Sequence, residues 1–160
     1  MIVVSDATPL IALAKIGQIN LLRSLFGKVY VPQAVYDEVV THASHRPGAD
    51  EVRQADWIEV CGPGDRTKVD YLQIDLDTGE AEALVLAEKL SANLVLVDET
   101  KARLAADTLK LKYIGTVGLL LLAKRRGLVP QIRPLIDELR AKKFRLSEKV
   151  YQAVLRRADE

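Results

Sequence analysis

Residues 2–16 read IVVSDATPLIALAKI. Ile2, Val3 and Val4 form a β-branched run, the composition of a buried strand. Asp6 ends it. From Pro9 onward Leu10, Ile11, Leu13 and Ala14 recur with the spacing of a helix packed on a core. A buried strand that hands over directly to a helix sets the expected fold class. It also leaves a carboxylate at the strand's end. A lone Asp there serves as a helix N-cap or turn residue, so its meaning depends on the rest of the chain.

The alternation continues. A helical pattern broken near Gly17 carries Ile19, Leu21, Leu22 and Leu25, and residues 28–31 read as a short strand. Pro32 suits the first position of a helix running to about Val40. Residues 41–50 read as a bend or loop, 49–55 as a short helix and 57–60 as a strand. Gly62-Pro63-Gly64-Asp65 is a loop, followed by a short helix or connector to Asp75. Thr78 is placed to cap a helix from Gly79 to Leu90. Strands at 93–97 and 112–114, and helices at 101–109, 117–126, 130–142 and from Ser147 onward, complete the chain. Strand–helix alternation of this kind predicts an α/β fold, a mainly parallel sheet with helices on both faces. Ligands in such sheets bind beyond the carboxyl ends of the strands, where strand order reverses.

The bulk properties bound the answer. A chain of 160 residues, 49% hydrophobic and 28% charged, is that of one globular domain spanning 1–160. The run from Val117 to Ala123 is too short to cross a bilayer. No cleavable leader is expected before the first strand. The single cysteine, Cys61, forms no internal disulfide and fits a reducing, cytoplasmic setting. The net charge of +1 conceals an asymmetry: residues 121–160 hold 11 Lys/Arg against 5 Asp/Glu, and residues 1–120 hold 12 against 17. The basic last quarter suits a polyanion and the acidic part suits cations.

Two apolar strands finish in Asp: the first at Asp6, and Leu94-Val95-Leu96-Val97 at Asp98. If the strands are neighbours, both carboxylates enter one crevice. In the helix at 79–90, Glu80 shares a face with Ala83, Leu84 and Ala87 and turns towards the sheet, whereas Glu82 points away. A first-turn Glu is also stabilised by the helix dipole. Asp37 and Glu38 both border an apolar helix face, and periodicity does not choose between them. Carboxylates gathered in one cleft repel unless a cation neutralises them. Hard oxygen ligands select Mg²⁺ or Mn²⁺. Such an ion activates water and offsets charge on a phosphoryl group, which makes a phosphodiester the natural substrate.

The segments VVSDATPLIAL, VYVPQAVYDEVV, WIEV, LDTGEAEALVLAEKLSANLVLVDETKARLAA, IGTVGLLLLAKRRGLV and FRLSEKVYQAVLRRADE together resemble the PIN domain superfamily, in particular the prokaryotic PIN-like relatives of VapC-type toxin ribonucleases. The resemblance implies a three-layer α/β/α sandwich with strand order 3-2-1-4-5. It implies RNA cleavage by an acidic quartet holding Mg²⁺ or Mn²⁺. Matched position by position, the quartet falls on Asp6, Glu38, Glu80 and Asp98, with Thr8 as an accessory residue. At Glu80 this chain carries Glu where the family often has Asp. A homodimer and a small antitoxin protein are the implied partners, with no membrane association. The rival reading is a PIN-like nucleic-acid-binding or partner-binding module with little or no nuclease activity.

Other residues carry less. His42 and His45 lack the further N or S ligands that zinc wants, and Ser5 has no histidine for a triad. Trp57 and Tyr30 read as core. Thr116 borders the cleft or caps a helix. Lys101 and Arg103, close behind Asp98, are candidates for phosphate contacts.

Overall fold

The structure, a computed structural model, describes residues 1–160. Five parallel strands form one sheet: β1 (Val3–Ser5), β2 (Val29–Pro32), β3 (Ile58–Cys61), β4 (Leu94–Leu96) and β5 (Tyr113–Ile114). Their order is β3-β2-β1-β4-β5, as the family resemblance implies. The chain therefore builds outward from β1 to β3, then crosses back to lay β4 against the free side of β1. Strand order reverses between these two.

Alternation along the strands divides the core. Val3 and Leu96 face one side with α1 (Ala7–Lys15), α2 (Asn20–Phe26), α8 (Thr116–Arg125), α9 (Arg133–Ala141) and α10 (Glu148–Arg157). Val4, Val95 and Val97 face the other with α6 (Thr78–Lys89) and α7 (Thr100–Thr108). All five of these strand residues are fully buried. This is the sheet-between-helices arrangement that near-continuous apolar strands require. No helix is long and apolar enough to cross a membrane.

The break near Gly17 is real: Gly17 takes φ +68° between α1 and α2, a conformation that costs glycine no steric strain. The last helix starts where Ser147 accepts the Val150 amide with its side chain. Three local expectations need correction. Pro32 does not open a helix; it ends β2, paired with Cys61. The strand terminates there, so its missing N–H leaves no gap in the ladder. The helix that follows is short. Gln33–Tyr36 (α3) runs into a π-helical turn at Asp37–Thr41. Finally, Asp77 rather than Thr78 caps α6. Its side chain accepts the Glu80 amide at 2.8 Å while Glu80 Oε1 accepts the Asp77 amide at 3.0 Å, a reciprocal capping box.

Glu82 also departs from expectation. It does not point away into solvent but accepts the Ala34 amide at 3.3 Å. The start of α3 thereby receives a partner for one of its free amides. Glu80 and Glu82 thus fix neighbouring backbone as well as carrying charge.

The remaining helices are α4 (Ala49–Gln54) and α5 (Arg66–Leu72). The α5 helix is capped by Asp65, which accepts the Thr67 and Lys68 amides. Replacing Asp77 by Ala removes one half of the α6 box and is expected to cost about 1 kcal/mol in urea denaturation. An unchanged midpoint would contradict the capping role.

Candidate active site

Register fixes the site. In the β1–β4 pair Ser5 lies opposite Leu96, and the Asp6 amide donates to the Leu96 carbonyl at 3.0 Å. Asp6 and Asp98 therefore leave the sheet at adjacent strand ends, on either side of the point where strand order reverses. That position is where open α/β sheets bind ligands.

Asp6 is only 4% exposed. It has the backbone geometry of an N-cap for α1, with φ −77° and ψ 173°, but its side chain makes no capping hydrogen bond. Burying a carboxylate is costly, and capping does not explain this one. Ser5, fully buried beside it, donates its hydroxyl to the Asp6 carbonyl at 2.8 Å. Its role is to satisfy backbone.

Gly79, the second residue of α6, explains what Asp6 faces. A Cβ at Gly79 would stand 3.3 Å from Asp6 Oδ1 and 3.3 Å from Glu38 Oε1. The missing side chain leaves a cradle into which both carboxylates turn. Asp37 and Glu38 are placed differently. Asp37 Oδ1 accepts from Gln33 Nε2 and Thr41 Oγ1, each at 2.9 Å, along its own helical segment. Glu38, at the solvent rim, is the acid that leans towards Asp6.

Glu80 is buried at 7% exposure, with Oε1 engaged in the capping box. Asp98 is held on both oxygens: the Thr116 amide donates to Oδ1 at 2.8 Å and the Thr116 hydroxyl to Oδ2 at 2.7 Å. Arg103 Nη2 stands 3.9 Å from Oδ1, and its Nε donates to the Val97 carbonyl at 3.4 Å. Thr116 is therefore both at the N-terminus of α8 and a support for the strand-end aspartate. Lys101 does not join this group; it lies on the outer groove between α5, α6 and α7.

The structure thus brings Asp6, Glu38 and Glu80 into one acidic neighbourhood and sets Asp98 on the next strand end, turned towards α8. Thr8 lies in the first turn of α1 and lines a groove shared with Glu99. Sequence reading missed Asp77; it named Thr116 as a cleft border or cap and Arg103 as a phosphate contact, but neither as a support of Asp98. The Asp77-Thr78-Gly79-Glu80 spacing carried a capping-box signal. Nothing in the sequence pairs Arg103 with Asp98.

The electrostatics follow from this crowding. Asp6 is pushed up to about 8, first by burial and then by the charges of Asp77, Glu80 and Glu38, against the Ala7 amide. Burial also raises Glu80, with Asp77, Glu99 and Glu38 adding to it against the Asp77 amide. Glu38 rises through partial burial and the charge of Asp77. Asp98 rises through burial, although Thr116 and Arg103 oppose the shift. Asp37 moves the other way, lowered by its bonds to Gln33 and Thr41. A site that raises the pKa of its carboxylates is one in which added positive charge favours their ionised form.

The donor chemistry fits a hard divalent cation. Every candidate ligand is a carboxylate oxygen, as Mg²⁺ and Mn²⁺ prefer. No three His, Cys, Asp or Glu side chains close to ligating distance, so the carboxylates do not form a finished cage. His42 and His45 are exposed in the loop after the π turn. Trp57 is buried in the larger core.

A PIN-domain family model matches residues 2–160. The chain belongs to the PIN-domain family. No curated protein matches it. PIN domains are typically nucleases that use divalent metal ions, and in this PIN domain the crowded carboxylates stand at the topological switch point.

Two outcomes follow. An acid that holds its proton more tightly folded than unfolded makes the fold less stable as pH rises between the two pKa values. For Asp6 that window runs from the unfolded carboxyl range to about 8. Each pH unit within it costs about 1.4 kcal/mol for one such group. In chelator, the melting temperature is therefore expected to fall between pH 5 and pH 8. Asp6→Asn should remove much of that fall and exceed the parent's stability at pH 8; a variant less stable than the parent there would contradict this. Thr116→Val, which deletes a donor to Asp98, should cost about 1–3 kcal/mol at pH 8. It should cost less at pH 4, where the protonated acid needs that donor less, and an equal cost at both would contradict the assignment.

Proposed function

We propose that this protein is a metal-dependent endoribonuclease, with Asp6, Glu38, Glu80 and Asp98 as its Mg²⁺- or Mn²⁺-binding acids. The observation that carries this reading is Asp6: nearly buried, free of any capping bond, and turned with Glu38 into the cradle over Gly79. A divalent ion held there would supply an activated water and offset the charge that builds on the phosphoryl group.

The chain's own residues do the rest. Asp6 and Glu38 offer carboxylate oxygens on the open side of the cradle. Thr116 and Arg103 fix the orientation of Asp98. Gly79 keeps the space between the acids clear. The hydrolysis consumes one water, breaks one phosphorus–oxygen bond and leaves a phosphate on one fragment and a hydroxyl on the other. The basic C-terminal quarter suits the negative backbone of RNA.

A role as the toxin of a toxin–antitoxin pair, with a small antitoxin protein covering the cleft, belongs to this reading. So does a homodimer. An outer groove of about 770 Å³ between α5, α6 and α7 supports the latter, with Tyr71, Ile74 and Leu104 exposed on it. Its rim carries Lys68, Lys101, Asp75 and Glu88, charges of both signs that a two-fold contact can match with themselves. Ile74→Glu with Leu104→Glu is expected to give a monomer by light scattering. A dimer that survives both would contradict this groove as the interface.

A second reading has its own observation. One oxygen of Glu80 and both of Asp98 already serve structural bonds, which favours a PIN-like binding module with little nuclease activity. One experiment separates the two. Single-stranded RNA is incubated with the protein in Mg²⁺, Mn²⁺ or chelator, alongside Asp6→Asn. The nuclease reading predicts cleavage lost in chelator and reduced about a hundred-fold or more in the variant. Cleavage that survives both would reject the mechanism, and its absence from the parent with tight RNA binding would favour the module.

A further inference from the structure

A groove of about 320 Å³ is lined at one end by Thr8, two residues after Asp6, and by Glu99, next to Asp98. Thr8 and Lys15 mark the two ends of its α1 wall, and Glu99 stands on the side of the strand ends. The opposite wall is the linker between α9 and α10, which contributes Lys143, Phe144 and Arg145. From Thr8 to Lys15 is about 10 Å of helix, the length of two or three stacked nucleotides.

The linker is built into place. At the end of α9 the Lys143 amide donates to the Arg140 carbonyl at 3.0 Å and the Phe144 amide to the Leu139 carbonyl at 2.9 Å. These are the paired bonds of a Schellman turn, and Lys143 takes the left-handed position at φ +69°. Lys142 ties the turn to α1 by donating to the Lys15 carbonyl at 2.5 Å and to Glu138 at 3.3 Å. The same turn presents Lys143 and Arg145 outward, both exposed. None of the ion pairs in the structure uses Lys15, Lys143 or Arg145.

One end of this groove is acidic and the other has uncommitted positive charge over a partly apolar floor. Without a metal the acidic end weakens the hold on a polyanion, while the linker cations still attract it. A metal-loaded acidic end followed by free cations would hold consecutive phosphates, with the half-buried Phe144 available to a base. We propose that the groove between α1 and the α9–α10 linker is the track for the single-stranded phosphodiester flanking the cut. Lys143 and Arg145 hold phosphates there and Phe144 contacts a base. This rests on the nuclease reading above and assigns the path of its substrate.

The test is fluorescence anisotropy with labelled 12-nucleotide RNA and DNA of one sequence, using the full chain in chelator over a range of salt. Lys143→Gln with Arg145→Gln should weaken binding at least ten-fold at low salt. The slope of log affinity against log salt should flatten by about 1.4, two phosphate contacts on a single strand. Lys143→Arg with Arg145→Lys should restore both. Arg125→Gln with Arg126→Gln removes the same charge at the far end of α8 and should leave the slope unchanged. Loss on both polymers supports the track, and tighter binding of RNA marks RNA as the strand it takes.

Four results would overturn the proposal: no binding of either polymer by the parent, unchanged binding by the linker variant, an equal loss in the α8 control, or an oligoglutamate peptide bound as tightly with the same dependence on the linker. Cleavage in Mn²⁺, measured separately, keeps the two readings apart. A linker variant with raised KM and retained kcat supports the track. A parent that binds through the linker yet never cleaves defeats the nuclease reading alone. A parent that cleaves, with KM unchanged in the linker variant, defeats the track alone.

Discussion

Parallel pairing of β1 with β4, with Ser5 opposite Leu96, is the constraint on which the acidic site depends. It sets two segments far apart in sequence side by side and makes their carboxyl ends emerge together. The apolar residues of both strands leave no freedom in this, because a slip of one residue would turn Val4 and Val95 from one core to the other. The energy that holds the acids together therefore comes from the core beneath them. Burial raises all four acids, and the charges of neighbouring acids add to the rise of Asp6 and Glu80, so nothing in the site itself draws them together.

The acids divide by how much structural work each does. Glu80 closes the capping box of α6, and Asp98 receives both donors of Thr116 at the start of α8. Each earns part of its place through a hydrogen bond that any folded helix end can use. Asp6 has no such bond from a helix amide beyond its own neighbour, and Glu38 has the cradle over Gly79. A substitution at Glu80 or Asp98 therefore removes a structural hydrogen bond together with a candidate ligand, whereas Asp6→Asn removes a buried charge and no helix cap. The basic linker after α9 complements this arrangement, since its free cations lie along the groove that leads away from the carboxylates.

Much of the fold was legible in the sequence because its signals were local. The β-branched run at 2–4, Gly17 at the break and Ser147 at the last helix each act through neighbouring backbone, and each element lies where expected. Strand order came from the family resemblance, since periodicity does not say which strands are neighbours. The misreadings were of two physical kinds. Pro32 and Thr78 stand next to helix starts but not in the positions assumed; strand pairing claimed the first and the stronger Asp77 cap replaced the second. Glu82 and the main support of Asp98 depend on partners far along the chain: Ala34 for Glu82, and Thr116 for Asp98. No window of sequence contains those contacts. The side of the helix on which Glu38 projects was equally closed to periodicity, because the segment is a π turn and not a regular helix.

The most direct measurement is an anomalous difference map from crystals grown at pH 8 and soaked in Mn²⁺. The account predicts one strong peak at the carboxyl ends of β1 and β4, within ligating distance of Asp6 and at least one of Glu38, Glu80 and Asp98. A fully soaked crystal with no peak there, or with Mn²⁺ bound only at other surface carboxylates, would contradict it.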